Sequence, residues 1–183
     1  MDSMNIDRTL YTGRPDTAGR LPKEMAVYDL LEKLGIPYVR VDHEVAPTIE
    51  ACREIDALLG VEMCKNLFLC NRQKTDFYLL LMPGEKSFRT KELSAQIGSA
   101  RLSFAGEAFL EEFMNLTPGS VTVLGLMNDE NHRVRLLIDR EILESEYLGC
   151  HPCINTSSLK IRTQDLLEKF LPYIGCEYIA VSL

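Results

Sequence analysis

The chain has 183 residues, 46% of them hydrophobic and 26% charged, with a formal net charge of −7. That length suits one domain with a substantial core, and the composition excludes a disordered or fibrous chain. Net negative charge gives no general attraction for nucleic acid, so such a partner would have to meet a local basic patch.

Residues 1–22, with Asp7-Arg8-Thr9, Thr12-Gly13-Arg14-Pro15 and Leu21-Pro22, show no periodicity and read as an N-terminal arm. The arm has no apolar core of the kind a secretory signal needs. The longest apolar run, Phe77 to Met82, is far too short to span a bilayer, so a cytoplasmic protein without a membrane partner is expected. The six cysteines (52, 64, 70, 150, 153 and 176) then read as reduced thiols.

A helix is predicted from Lys23, because Ala26, Val27, Leu30, Leu31 and Leu34 share one face and Gly35 stops it. Tyr38 to His43 reads as an extended segment after Pro37. Pro47-Thr48, with Glu50 and Ala51, opens a second predicted helix that runs to about Leu59 and stops at Gly60. Asn66–Cys70 and Phe77–Met82 are short apolar runs around a polar turn and predict a central hairpin. Thr90 is expected to cap a helix over 91–97 that ends at Gly98, and a further helix is expected over 106–114. Thr117-Pro118-Gly119-Ser120 reads as a turn leading into a strand over Val121–Leu124. Val134–Ile138 reads as another strand, with Asp139 favoured as the N-cap of an acidic helical turn. After a loop at Gly149, residues 154–161 are β-prone, Thr163 is expected to cap a helix over 164–170, and 177–181 closes as a strand. Helices and strands alternate without a βαβ rhythm, which points to a mixed α/β (α+β) fold, a mixed sheet with flanking helices.

The chemistry concentrates in Gly149-Cys150-His151-Pro152-Cys153-Ile154-Asn155-Thr156. Three readings stay open there: a redox or metal Cys-x-x-Cys, a hydrolytic site built on His151, or a buried strand edge. Redox exchange wants the first thiol at a helix N-terminus, whereas strand or loop formers follow here. A zinc site wants four ligands, and only one such cysteine pair exists. The chain contains no Gly-x-Ser-x-Gly elbow and no glycine-rich phosphate loop. No metal and no cofactor are expected. Lys65, just before an apolar strand, is either a solvated gatekeeper or a cation reaching a cleft. From Lys65 to Arg101 there are seven Lys/Arg (65, 72, 74, 86, 89, 91, 101) against three acids (76, 85, 92), a net +4 that could face a polyanion.

Three segments in order resemble one family. They are Lys65-Asn66-Leu67-Phe68-Leu69, then Thr117-Pro118-Gly119-Ser120-Val121 with Leu124-Gly125-Leu126, then Gly149-Cys150-His151-Pro152 with Asn155-Thr156. The set is similar to the YbaK-type aminoacyl-tRNA deacylases, relatives of the editing insertion domain of bacterial prolyl-tRNA synthetases, and most of all to the free-standing Ala-tRNA(Pro) deacylases. The resemblance covers about residues 23–183 and implies one editing domain there, with a central, partly closed mixed β-sheet. It implies hydrolysis of a mischarged tRNA(Pro) ester by a positioned water, with no protein nucleophile. Lys65 and His151 match the residues at the reacting group, Lys65 toward the terminal nucleotide and His151 beside the aminoacyl moiety. Asn66, Pro118, Gly119, Ser120, Gly149, Cys150, Pro152 and Asn155 match the surrounding substrate pocket. Prolyl-tRNA synthetase is a further expected partner. Cys-tRNA(Pro), a Ser-charged tRNA, or a non-catalytic tRNA- or synthetase-binding role are the alternatives.

Overall fold

The computed structural model describes residues 5–46 and 49–183; Pro47-Thr48, the expected opening of the second helix, lies outside them. The elements are α1 (Pro22–Lys33), β1 (Tyr38–Asp42), α2 (Ile49–Leu59), β2 (Lys65–Asn71), β3 (Phe77–Met82), α3 (Thr90–Ile97), β4 (Leu102–Phe104), α4 (Glu107–Met114), β5 (Val134–Asp139), α5 (Arg140–Glu144), β6 (Tyr147–Cys150), β7 (Ser157–Arg162) and β8 (Tyr178–Val181). Between β7 and β8, α6 (Thr163–Asp165) runs through a π turn (Leu166–Phe170) into α7 (Leu171–Ile174). Pro172 has no amide hydrogen for a regular helical bond, which suits an irregular turn before it. The helices stop where glycine supplies left-handed backbone, at Gly98 (φ 66°) after α3 and Gly175 (φ 70°) after α7.

The mixed α/β class holds, but the single partly closed sheet does not. The strands form two open sheets, β1-β7-β6 and β4-β2-β3-β5-β8. The β2–β3 hairpin is antiparallel, while β3–β5 and β5–β8 are parallel. Among the described residues a single parallel bridge, Met63 to Gly149, joins the two sheets, and the Cys64 amide donates to the Gly149 carbonyl there (2.9 Å). Strand alternation sorts the core. Phe68, Cys70, Phe77, Leu79 and Leu81 face the main core with α1, α4 and the small sheet. Leu69, Tyr78, Leu80 and Met82 face α3 through Leu93. Phe77 anchors the main core, its ring 4.8 Å from Phe113 and 4.9 Å from Phe109 between centroids.

Several local expectations are corrected. Val121–Leu124 is not a strand, because the Thr122 hydroxyl accepts from the Leu124 amide and caps a 3₁₀ helix over Val123–Asn128. Tyr147–Cys150 is a strand rather than a loop, and β7 starts only at Ser157, since Cys153 takes φ 63° and interrupts extended backbone. Thr90 and Thr163 are first helical residues and not caps; Arg89 and Arg162 hold the cap positions. Asp139 does cap α5, accepting from the Glu141 amide (3.1 Å).

The arm is stitched to the small sheet. Tyr11 exchanges two backbone hydrogen bonds with Arg40 (2.7 and 3.0 Å), and Ile6 bridges His43. Among the described residues no helix is long and apolar enough to cross a membrane.

Candidate functional site

The β6–β7 connection, residues 151–156, is a hairpin loop at one end of the small sheet. His151 sits at its start. Its Nδ1 lies 2.9 Å from the Ser157 carbonyl, which can only accept, so Nδ1 carries the proton and Nε2 presents the lone pair. Burial lowers the His151 pKa, and the neighbouring His43 adds to the effect against the opposing Ser157 hydrogen bond, so the ring is neutral at physiological pH.

His43 follows β1 directly and stands beside His151, ring centroids 6.5 Å apart. Its Nδ1 donates to the Glu44 carbonyl (2.7 Å), its Nε2 accepts from the Ser158 hydroxyl (2.8 Å), and its amide donates to the Thr156 carbonyl (3.0 Å). Burial lowers its pKa as well. No short motif marks His43 as a member of this site. The signal the sequence held was a histidine ending one polar-tipped strand and a Ser157-Ser158 pair starting another, which only strand register brings together.

On the other side of the loop lies the Thr117–Ser120 turn. Gly119 has φ 87°, and a Cβ there would stand 3.4 Å from the Asn155 side-chain nitrogen. Turn and loop are therefore neighbours with no room to spare for a side chain at Gly119, and only glycine holds that backbone without strain. Ser120 is buried, and its hydroxyl donates to the Thr117 carbonyl (2.9 Å), locking the turn. Pro152 is buried in the loop.

Lys65 and Asn66 open β2 at the seam between the sheets. Alternation sends them to opposite faces. The Lys65 ammonium donates to the Lys86 carbonyl (2.9 Å) in the segment after β3. The Asn66 amide donates to the Cys64 carbonyl at 3.4 Å, and its carboxamide oxygen is buried without a hydrogen-bond partner. A buried acceptor left open is costly unless a ligand donor fills it.

Gly149 and Cys150 lie at the end of β6. A Cβ on Gly149 would meet Met63 Sδ at 2.8 Å and the Glu62 carbonyl oxygen at 3.0 Å, so the close backbone approach that glycine permits is to Met63. Cys150 is 1% exposed in the main core. Burial pushes its thiol well above the ordinary range and takes Cys153 up to about 12. Thiolate chemistry needs the opposite shift. Among the described residues no three His, Cys, Asp or Glu side chains gather as metal ligands do.

The basic segment is partly neutralised. Lys86 pairs with Asp139 (2.9 Å) and Glu141 (2.9 Å), while Lys91 and Arg101 line a surface cavity of about 440 Å³ with Thr90 and Ser94.

Residues 43–169 match the family model of the aminoacyl-tRNA editing domain. The prolyl-tRNA editing protein ProX of Acetoanaerobium sticklandii is 31% identical over 160 residues, spanning 87% of this chain and 97% of that protein. The prolyl-tRNA synthetase associated domain-containing protein 1 of Danio rerio is 31% identical over 143 residues, spanning 76% of this chain and 77% of that protein. A solved protein put forward as a trans-editing enzyme for prolyl tRNA synthetase superposes with a TM-score of 0.63 at 16% identity, over 89% of this chain and 98% of that one, and so shares the fold. The chain belongs to the aminoacyl-tRNA editing-domain family and is an aminoacyl-tRNA deacylase.

Proposed function

We propose that this deacylase removes alanine from mischarged tRNA(Pro) in trans, in the cytoplasm, with prolyl-tRNA synthetase as a further partner. The observation that carries the reading is the 151–156 loop. Its histidine is neutral and held as one tautomer by Ser157, and its Asn155 stands beside the Gly119 turn. Those parts form one wall of the substrate pocket, with Asn66 at the start of β2 as a further member of it.

An aminoacyl ester is already activated, so orienting water and stabilising charge suffice for hydrolysis. Water adds to the ester carbonyl, the bond to the terminal ribose oxygen breaks, and alanine and free tRNA leave. His151 Nε2 accepts a hydrogen bond from that water. Lys65 serves the terminal phosphate as a point charge, exchanging its hold on the Lys86 carbonyl for the nucleotide. Pro118, Gly119, Ser120, Pro152 and Asn155 bound the side-chain pocket. Gly149 and Cys150 contribute by fixing the seam beneath it. Residue size then discriminates, because alanine enters where the proline ring is blocked.

Single-turnover deacylation of Ala-tRNA(Pro) tests these roles. Lys65→Ala and His151→Ala should each lower the rate by about 10²-fold, the lower end for a positioned catalytic group. Wild-type rates in both variants would remove the two residues from the mechanism.

A further inference from the structure

The buried polar network behind the loop reaches out of the family-matched region and into the N-terminal arm. The match begins at residue 43, and Arg20 lies before it. The Arg20 guanidinium donates to Glu24 Oε2 (2.6 Å) and to Asp42 Oδ2 (2.9 Å), and one of its nitrogens stands 3.5 Å from the Ser157 hydroxyl. Arg40 donates to the same Asp42 oxygen. The other carboxylate oxygen, Oδ1, accepts from the Ser157 hydroxyl (2.6 Å). Strand register sets Asp42 opposite Ser157, so this side-chain bond lies across the β1–β7 pair. Ser157 is fully buried, and its carbonyl accepts the hydrogen bond from His151 Nδ1.

We infer that Arg20 is a positioning residue for His151, acting through Asp42 and Ser157. The inference rests on the reading of His151 as the residue at the ester.

Charge balance shows what the arm adds to β1. Arg20 bridges Glu24 and Asp42, Arg40 pairs with Asp42, and Glu24 also accepts from the Tyr28 hydroxyl (2.6 Å). Arg40 is 4% exposed and stacks over the Tyr11 ring, 4.5 Å to its centroid, so it is held in place. Without Arg20 the ion pair to Glu24 is lost and Asp42 keeps Arg40 alone. Asp42 then loses a charge-assisted partner and its grip on the Ser157 hydroxyl weakens. The carbonyl that selects the His151 tautomer moves with that residue. A cleft of about 380 Å³, lined by Arg20, Glu24, Asp42, His43 and Thr156 among others, opens on this network and admits a guanidinium-sized ion.

The test is carried out on the full-length protein. In long-range ¹⁵N–¹H spectra, wild-type His151 should show the Nδ1-protonated tautomer. Arg20→Ala should show mixed tautomers, with kcat on Ala-tRNA(Pro) lowered about 10-fold and KM within about twofold, the signature of lost orientation rather than lost binding. Arg20→Lys or millimolar guanidinium added to Arg20→Ala should restore part of both. An unchanged His151 tautomer in Arg20→Ala overturns the inference, as does failure of guanidinium to restore anything. If Arg20→Ala does not fold, Ser157→Ala removes only the hydroxyl of the same chain; it should lose the tautomer preference, and retention would overturn the inference equally. Undiminished turnover in His151→Ala would instead bring down the reading of His151 itself, a result separable from the tautomer data.

Discussion

The histidine at the loop is held neutral by burial, and the same burial ties it to the stability of the fold. His43 and His151 both have pKa values lowered from the ordinary 6.5, with desolvation the largest cause. In the unfolded chain they bind protons near that ordinary value, and in the folded chain only below it. Their contribution is therefore complete above pH 6.5 and is lost as pH falls through that value toward the lowered folded one. Chemical denaturation at pH 7 and pH 5 should show wild type losing more stability over that interval than His43→Asn, which keeps a donor for the Glu44 carbonyl and removes the titration. Equal losses would contradict the assignment. Residue by residue, Lys65, His151 and Asn155 could be singled out in the sequence because short motifs carry them. Arg20, Asp42 and His43 could not, because their partners lie far away in sequence: His43 bonds a serine 115 positions on, and Arg20 approaches one 137 positions on.

Elements were legible where one local rule acted alone. The β2–β3 hairpin follows from two apolar runs around a polar turn, and α1 from apolar spacing closed by Gly35 at φ 66°. Two misreadings have a common origin. Val121-Thr122-Val123 has β-prone side chains, yet a single hydroxyl bond from Thr122 turns the backbone into a 3₁₀ helix. Tyr147–Cys150 has a glycine that signals a loop, yet the glycine serves the close approach of Met63. That seam gives an element-scale prediction. Gly149→Ala should destabilise the protein by about 1–3 kcal/mol through overpacking, seen as a fall in Tm. Met63→Ala in the same chain should restore only part, because the Glu62 carbonyl oxygen, a backbone atom, also blocks the new methyl at 3.0 Å. An unchanged Tm would show that the sheets are not tightly joined there.

For the molecule as a whole, mixed α/β layering could be inferred from the irregular order of helices and strands, while the division into two open sheets could not. It depends on β1 pairing with β7 across more than a hundred residues and on the Met63–Gly149 bridge. The arrangement puts the 151–156 loop at an end of the small sheet, backed by β1 and the arm and faced by the Thr117–Ser120 turn. The proposed function requires that a pocket there select by size. The most direct measurement is the initial rate of ester loss from Ala-tRNA(Pro) and from Pro-tRNA(Pro) at equal concentrations of enzyme. A small editing pocket predicts that alanine is removed at least about 10²-fold faster than proline, a margin that steric exclusion supplies readily. Comparable rates on the two esters, or loss of proline alone, would contradict it.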